Sequence, residues 1–203
     1  QAGGRLSYGS CFVTRDRTVA DCMRSNLNDA TVNDALAVLP STVEHVFLHV
    51  NNLNRVPANL GTLFPSLKSI YLDGNNITSV SASDFSNMAG LEILSLNVNP
   101  ITVLPGNLLS GVPNLKTFSL FLPSGYGSSL STIPSNFFQN TRGIVNIIMY
   151  GHKGLTSFER GVFDYLADCE IISFVDCSFT FQGFPDGVFD DLVSLKYFDF
   201  FIN

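Results

Sequence analysis

The residues best able to do chemistry are few: His45, His49 and His152, and the cysteines Cys11, Cys22, Cys169 and Cys177. His45 and His49 stand four apart in the alternating stretch "VEHVFLHVNN", which reads as a strand. They share a face, but at roughly 3.3 Å per residue they lie about 13 Å apart, too far to hold one metal ion. No Ser, His and acid fall in a known triad motif, and there is no glycine-rich phosphate loop and no motif built on paired carboxylates. The expectation is a chain that is not an enzyme, with no metal site and no cofactor. "NIT", Asn76 to Thr78, is its only Asn-x-Ser/Thr acceptor with an allowed middle residue, so Asn76 is the candidate glycosylation site.

The elements that carry these residues show in the spacing. "VEHVFLHVNNLNRVPANLGTLFPS" (43–66), "LKSIYLDGNNITSVSASDFSNMAG" (67–90) and "LEILSLNVNPITVLPGNLLSGVPN" (91–114) are three successive units of 24 residues. Longer units follow at 115–143, 144–168 and 169–194, and a partial one at 195–203. Within each, alternating apolar residues such as Ile70 and Leu72, or Leu94 and Leu96, mark a short strand with one buried face. No single unit can bury that face alone, so neighbours must stack into a solenoid. Phe85, Leu109, Phe138, Phe163 and Phe189 recur at one place in the second half of each unit and form a second buried column.

These units resemble leucine-rich repeats, LxxLxLxxNxL followed by a variable half containing FxxL. They look most like the extracellular animal type of Toll-like receptor ectodomains and variable lymphocyte receptors. The resemblance implies a right-handed α/β solenoid: a horseshoe with a parallel concave sheet, an irregular or short-helical convex side and an N-terminal cysteine cap. "TVADC" before the first repeat resembles that cap, which would occupy 1–42 and carry a Cys11–Cys22 bridge; two free thiols are the alternative. A secreted or cell-surface extracellular location follows from the bridge, since such bonds persist in oxidising compartments. Cys169 and Cys177 take inward positions too far apart to bridge, and are expected as buried thiols. Asn51, Asn75 and Asn99 share the position where an amide can both donate to and accept from the backbone of adjacent turns. In later repeats that column reads Pro123, His152, Cys177 and Asn203; Cys is an accepted substitute and Pro is not. His152 is therefore expected as a satisfied histidine at the core edge.

Register also assigns the concave face. One column, Glu44, Lys68, Glu92, Lys116, Val145, Glu170 and Lys196, alternates in charge and is expected to help stacking, weakly. His49 and Asp73 should be neighbours and are read as a solvated pair. The central columns are polar early and turn apolar from Phe121 onward. The candidate ligand-binding surface is accordingly Phe121, Ile148, Tyr150, Val175, Tyr197 and Phe201, with Leu122, Ile171 and Ile202 beside it. The stretch "FSLFLPSGYGSSLSTIP" holds a five-residue insertion after the strand, read chiefly as tolerated slack, with Tyr126 as a candidate lateral contact.

The whole-chain balance sets the partners. A chain 45% hydrophobic and 14% charged is an ordered globular one, and a net charge of −6 without any basic run argues against nucleic acid. No apolar run approaches the roughly 18 to 20 residues that span a bilayer, so no membrane insertion by this segment is expected. A start at Gln1 rather than Met suits a mature chain. The expected function is non-enzymatic extracellular recognition of a protein or other macromolecule by the concave sheet, of the receptor-ectodomain or adhesion type. The alternative is a structural subunit of an extracellular assembly or fibre, self-associating through an open edge at the seventh strand.

Overall fold

The computed structural model describes residues 4–180 and 183–200. Among these, ten strands form one sheet in chain order. β1 (Leu6–Tyr8), β2 (Cys11–Val13) and β3 (Val19–Asp21) are antiparallel. From β3 onward every neighbour is parallel: β4 (His45–Phe47), β5 (Ser69–Tyr71), β6 (Ile93–Ser95), β7 (Thr117–Ser119), β8 (Asn146–Ile148), β9 (Ile171–Ser173) and β10 (Tyr197–Asp199). Pairing runs without slip, with Val46, Ile70, Leu94, Phe118, Ile147 and Ile172 side by side. All six are buried, because a one-residue slip would turn this whole set to water. The returning halves are short or irregular: α1 (Val32–Ala37), α2 (Leu60–Leu63) and a 3₁₀ turn at Ala82–Phe85. This is the solenoid the repeats predict.

β3 shows how the cap joins it. Ala20 pairs with Val46, and Cys22 occupies the same inward position as Leu48 in the next turn. Cys22 is bridged to Cys11, so the disulfide ties β2 to the first parallel strand and lies in the core. A solenoid needs its first apolar face covered, and this bridged hairpin covers it.

The asparagine column works as a ladder. Asn75 Nδ2 donates to Leu48 O at 3.0 Å and Leu72 O at 2.9 Å, while its Oδ1 accepts from Leu53 N at 3.1 Å. Asn99 repeats this one turn later on Leu72 O, Leu96 O and Ile77 N. Asn51 reaches back to Cys22 O, Ser25 N and Leu27 N and so fastens the cap. Pro123 has no amide to offer, and Ile101 N, which it would have served, turns to the carbonyl of Asn99 at 2.8 Å. His152 then takes over: Nε2 donates to Leu120 O at 2.7 Å and Nδ1 accepts from Leu130 N at 3.1 Å. Those are the two contacts to the preceding turn that an Asn makes, so His152 is a longer side chain in the asparagine's role. Cys177, also buried, keeps the weaker contacts of Sγ to Met149 O and Val175 O, both 3.8 Å. Cys169 and Cys177 are both free thiols, and burial pushes each up to about 11.

The insertion is tethered rather than loose. Tyr126 N closes a turn on Pro123 O, Gly125 takes φ +80°, and at the exit Ser129 Oγ accepts from Gly154 N at 3.0 Å. Leu122 departs from expectation. It was placed beside the exposed apolar patch, yet it is buried. Its counterparts Val50, Gly74, Val98, Gly151 and Asp176 all turn left-handed, at φ between 54° and 89°. A residue before proline is driven to extended backbone instead, so Leu122 does not make that turn.

Candidate binding surface

Across the concave sheet two central rows of side chains run from strand to strand. One carries Phe47, Tyr71, Ser95, Ser119, Ile148, Ser173 and Asp199. The other, two residues further along each strand, carries His49, Asp73, Asn97, Phe121, Tyr150 and Val175. Their chemistry divides at Phe121.

Before it lies a hydrogen-bonded polar network centred on Asp73. Ser95 Oγ donates to Asp73 Oδ1 at 2.6 Å, and Asn97 Nδ2 donates to Asp73 Oδ2 at 3.3 Å and to Ser95 Oγ at 3.0 Å. Asn97 Oδ1 in turn accepts from Ser119 Oγ at 2.6 Å and from Phe121 N at 2.9 Å. Ser95, Asn97 and Ser119 are buried, so their polarity is spent on one another. His49 Nε2 lies 3.6 Å from Asp73 Oδ2, the neighbour relation expected from register. It is no solvated pair, however: both side chains are about 20% exposed, and the imidazole stacks against Phe47 and Tyr71 with centroids 5.7 and 5.3 Å away. Flat rings on adjacent strands exclude water from the pair more than its charge alone suggests.

From Phe121 onward the second row is apolar. Phe121 and Tyr150 stack with centroids 4.5 Å apart and planes 9° from parallel, and Ile148 and Val175 beside them are partly exposed, as is Ile171 on the far row. Burial raises the Tyr150 hydroxyl above its ordinary pKa. The structure thus brings Phe121, Ile148, Tyr150 and Val175 together. Tyr197 is 53% exposed but pairs with Ile171 on the row at the opposite side of the face, about 13 Å along the strand from the Tyr150 row. Its hydroxyl donates to Asp199 Oδ2 at 2.7 Å, which raises its pKa. Phe201 and Ile202 lie outside the described residues. Tyr126 is half-buried in its loop, and Asn76 is exposed, with its N–H given to Leu53 O.

The charged column is only partly paired. Lys68 meets Glu44 at 3.5 Å and Lys196 meets Glu170 at 2.6 Å, whereas Lys116 donates to the carbonyl of Gly143 rather than to Glu92.

Repeat register alone misses the contribution of the cap. Phe12 pairs with Asp21, and Asp21 with Phe47, so the concave rows extend onto β2 and β3. Phe12 and Met23 are exposed there, 46% and 40%. The sequence signal was the alternation in "SCFVT" and "VADCM", which places Phe12, Asp21 and Met23 opposite the inward Cys11, Val13, Ala20 and Cys22.

Among the described residues no helix is long and apolar enough to cross a membrane. Comparison with known proteins bears on the fold. Residues 65–121 match the family model described as leucine rich repeat. No protein of curated function matches the chain in sequence. Among solved structures, a chain of the octameric complex of latrophilin 3, Unc5D and FLRT2, in which FLRT2 is the leucine-rich repeat component, superimposes with a TM-score of 0.64. It is 19% identical, and the match covers 96% of this chain and 62% of that one. TLR13 in its complex with ssRNA13 superimposes with a TM-score of 0.60 at 22% identity, over 87% of this chain and 27% of that one. This chain therefore spans less than two thirds of either. Over residues 65–121 the chain thus matches the leucine rich repeat model, and along most of its length it shares the leucine-rich repeat fold of these two structures.

Proposed function

We propose that this chain is a non-enzymatic extracellular recognition module that binds a protein through the apolar half of its concave sheet. The observation that carries this reading is the Phe121–Tyr150 stack, flanked by partly exposed Ile148 and Val175. Aromatic anchors in a contiguous patch are what protein interfaces use as their energetic centres. The Cys11–Cys22 bridge supports an oxidising, extracellular setting, where exposed Asn76 would carry a glycan. A mass shift on enzymatic deglycosylation checks the latter.

The TLR13 structure holds an RNA on this fold. Here 11 Lys plus Arg against 17 Asp plus Glu leave little to offer a phosphate chain, which favours a protein ligand. The test is affinity capture from extracts of the producing organism, followed by titration of the purified captured protein. The double variant Phe121→Ser/Tyr150→Ser should lose that binding while an exposed control outside the strands, Val103→Ser, keeps it. Equal binding by all three overturns the reading.

A further inference from the structure

We propose that the cap end of the concave sheet is a recognition slot for a guanidinium group, that of an exposed arginine on a partner protein, and that Arg5 holds the slot when no partner is present. Phe12, Asp21 and Phe47 stand on three adjacent strands in direct register, so a carboxylate lies between two aromatic side chains. With strands about 4.8 Å apart, the two aromatic residues are roughly 10 Å apart, room for one planar cation between them. Thr14, Val19 and Met23 complete a mostly apolar cavity of about 220 Å³, of which Arg5 forms one wall.

The protein supplies its own stand-in ligand. Arg5 Nη1 lies 3.0 Å from Asp21 Oδ2, and Arg5 Cζ sits 5.0 Å from the centroid of the Phe12 ring. Salt bridge and cation–π contact together are the two interactions by which such a slot selects arginine. The carboxylate is held for this purpose: Met23 N donates to Asp21 Oδ1 at 3.1 Å, leaving Oδ2 to face the cation.

Arg5 is exchangeable. Its side chain is 57% exposed and Asp21 is 33% exposed, and an ion pair so open to water is weak. An incoming guanidinium can replace it without disturbing the core, because Cys11, Val13, Ala20 and Cys22 beneath are buried and bridged. The acids of the central rows in this half are Asp21 and Asp73, and Asp21 is the one that lines the slot. The slot stands on strands separate from the Phe121–Tyr150 patch and does not rest on that patch binding anything.

The test is a titration of the variant Arg5→Ala, Cys11–Cys22 bridge intact, with N-acetyl-arginine methylamide, read by NMR on the ring protons of Phe12 and Phe47. Circular dichroism confirms that each variant keeps the wild-type fold. Expected are saturable shifts in Arg5→Ala and binding about tenfold weaker in the wild type, where Arg5 must first be displaced. The double variant Arg5→Ala/Asp21→Asn, whose amide oxygen still accepts from Met23 N, should lose the binding. The neutral isostere N-acetyl-citrulline methylamide should not bind Arg5→Ala. Absence of saturable shifts in Arg5→Ala, equal binding of the citrulline compound, or indifference to Asp21→Asn each overturns the proposal.

Discussion

The turns before Pro123 and those after it are built on one plan from different materials. Before it, repeats of 24 residues share an asparagine ladder, and the concave polar groups bond to one another around Asp73. After it, repeats lengthen, the ladder passes to His152 and Cys177, rings such as Phe158, Phe163, Phe174 and Phe179 fill the interior, and the concave face turns apolar. The lesson is that the early part of the row from Asp73 to Asn97 spends its polarity on holding the turns together, while its later part, Phe121, Tyr150 and Val175, leaves apolar side chains partly open to water.

The ladder offers the sharpest break in that comparison. Asn75→Ala strands the buried Leu53 N and removes donors from Leu48 O and Leu72 O, and should destabilise by about 3–5 kcal/mol in urea unfolding. Cys177→Ala removes only long thiol contacts and a small volume, and should cost about 1 kcal/mol. Comparable losses would show that the two ladders are equally strong and undo the contrast.

The concave faces come next. Asp73→Ala should cost about 2 kcal/mol, because Ser95 and Asn97 lose their acceptor in a site from which water is largely excluded. Val175→Ser, on the apolar half, should change stability by less than about 0.5 kcal/mol, as surface substitutions do. Thermal denaturation of both variants decides whether the first half is structural and the second spare.

A pH series below neutrality isolates His152 among the ladder members. Burial holds His152 below the usual histidine value, with the bond to Leu120 O opposing it. A protonated ring would also set an N–H at Nδ1 against the N–H of Leu130. The unfolded chain therefore binds the proton first as pH falls through about 6.5, and the folded state loses stability from there downward, by at most about 1.4 kcal/mol per pH unit. His152→Asn should lack this contribution, so the wild-type minus variant difference in unfolding free energy should shrink between pH 7.5 and 5. A flat difference contradicts it.

The smallest effect lies at the strand exit. Val98 is β-branched yet left-handed at φ 57°, where its counterparts Gly74 and Gly151 are at ease. Val98→Asn should stabilise by roughly 0.5 kcal/mol, since Asn tolerates this backbone.

Repeat spacing made the strands, their register and the two buried columns legible before any coordinates. Each apolar position recurs because every turn meets the same neighbour above and below. His49 beside Asp73 and the inward Cys169 and Cys177 followed from the same arithmetic. Leu122 did not, since proline at the next position overrides the turn that register assigns. Nor did the aromatic surroundings of His49, which depend on where rings on neighbouring strands come to rest.

By itself the sequence determined the solenoid, its parallel strands and which side chains point inward, because a short repeat leaves few ways to bury the apolar set. Tertiary structure alone decided that Ser95, Asn97 and Ser119 satisfy one another, that His152 reaches Leu120 and Leu130 on either side of the insertion, and that Phe12, Asp21 and Arg5 of the cap line one cavity with Phe47. Those outcomes turn on distances of a few ångströms between residues of different turns, which spacing along the chain does not contain.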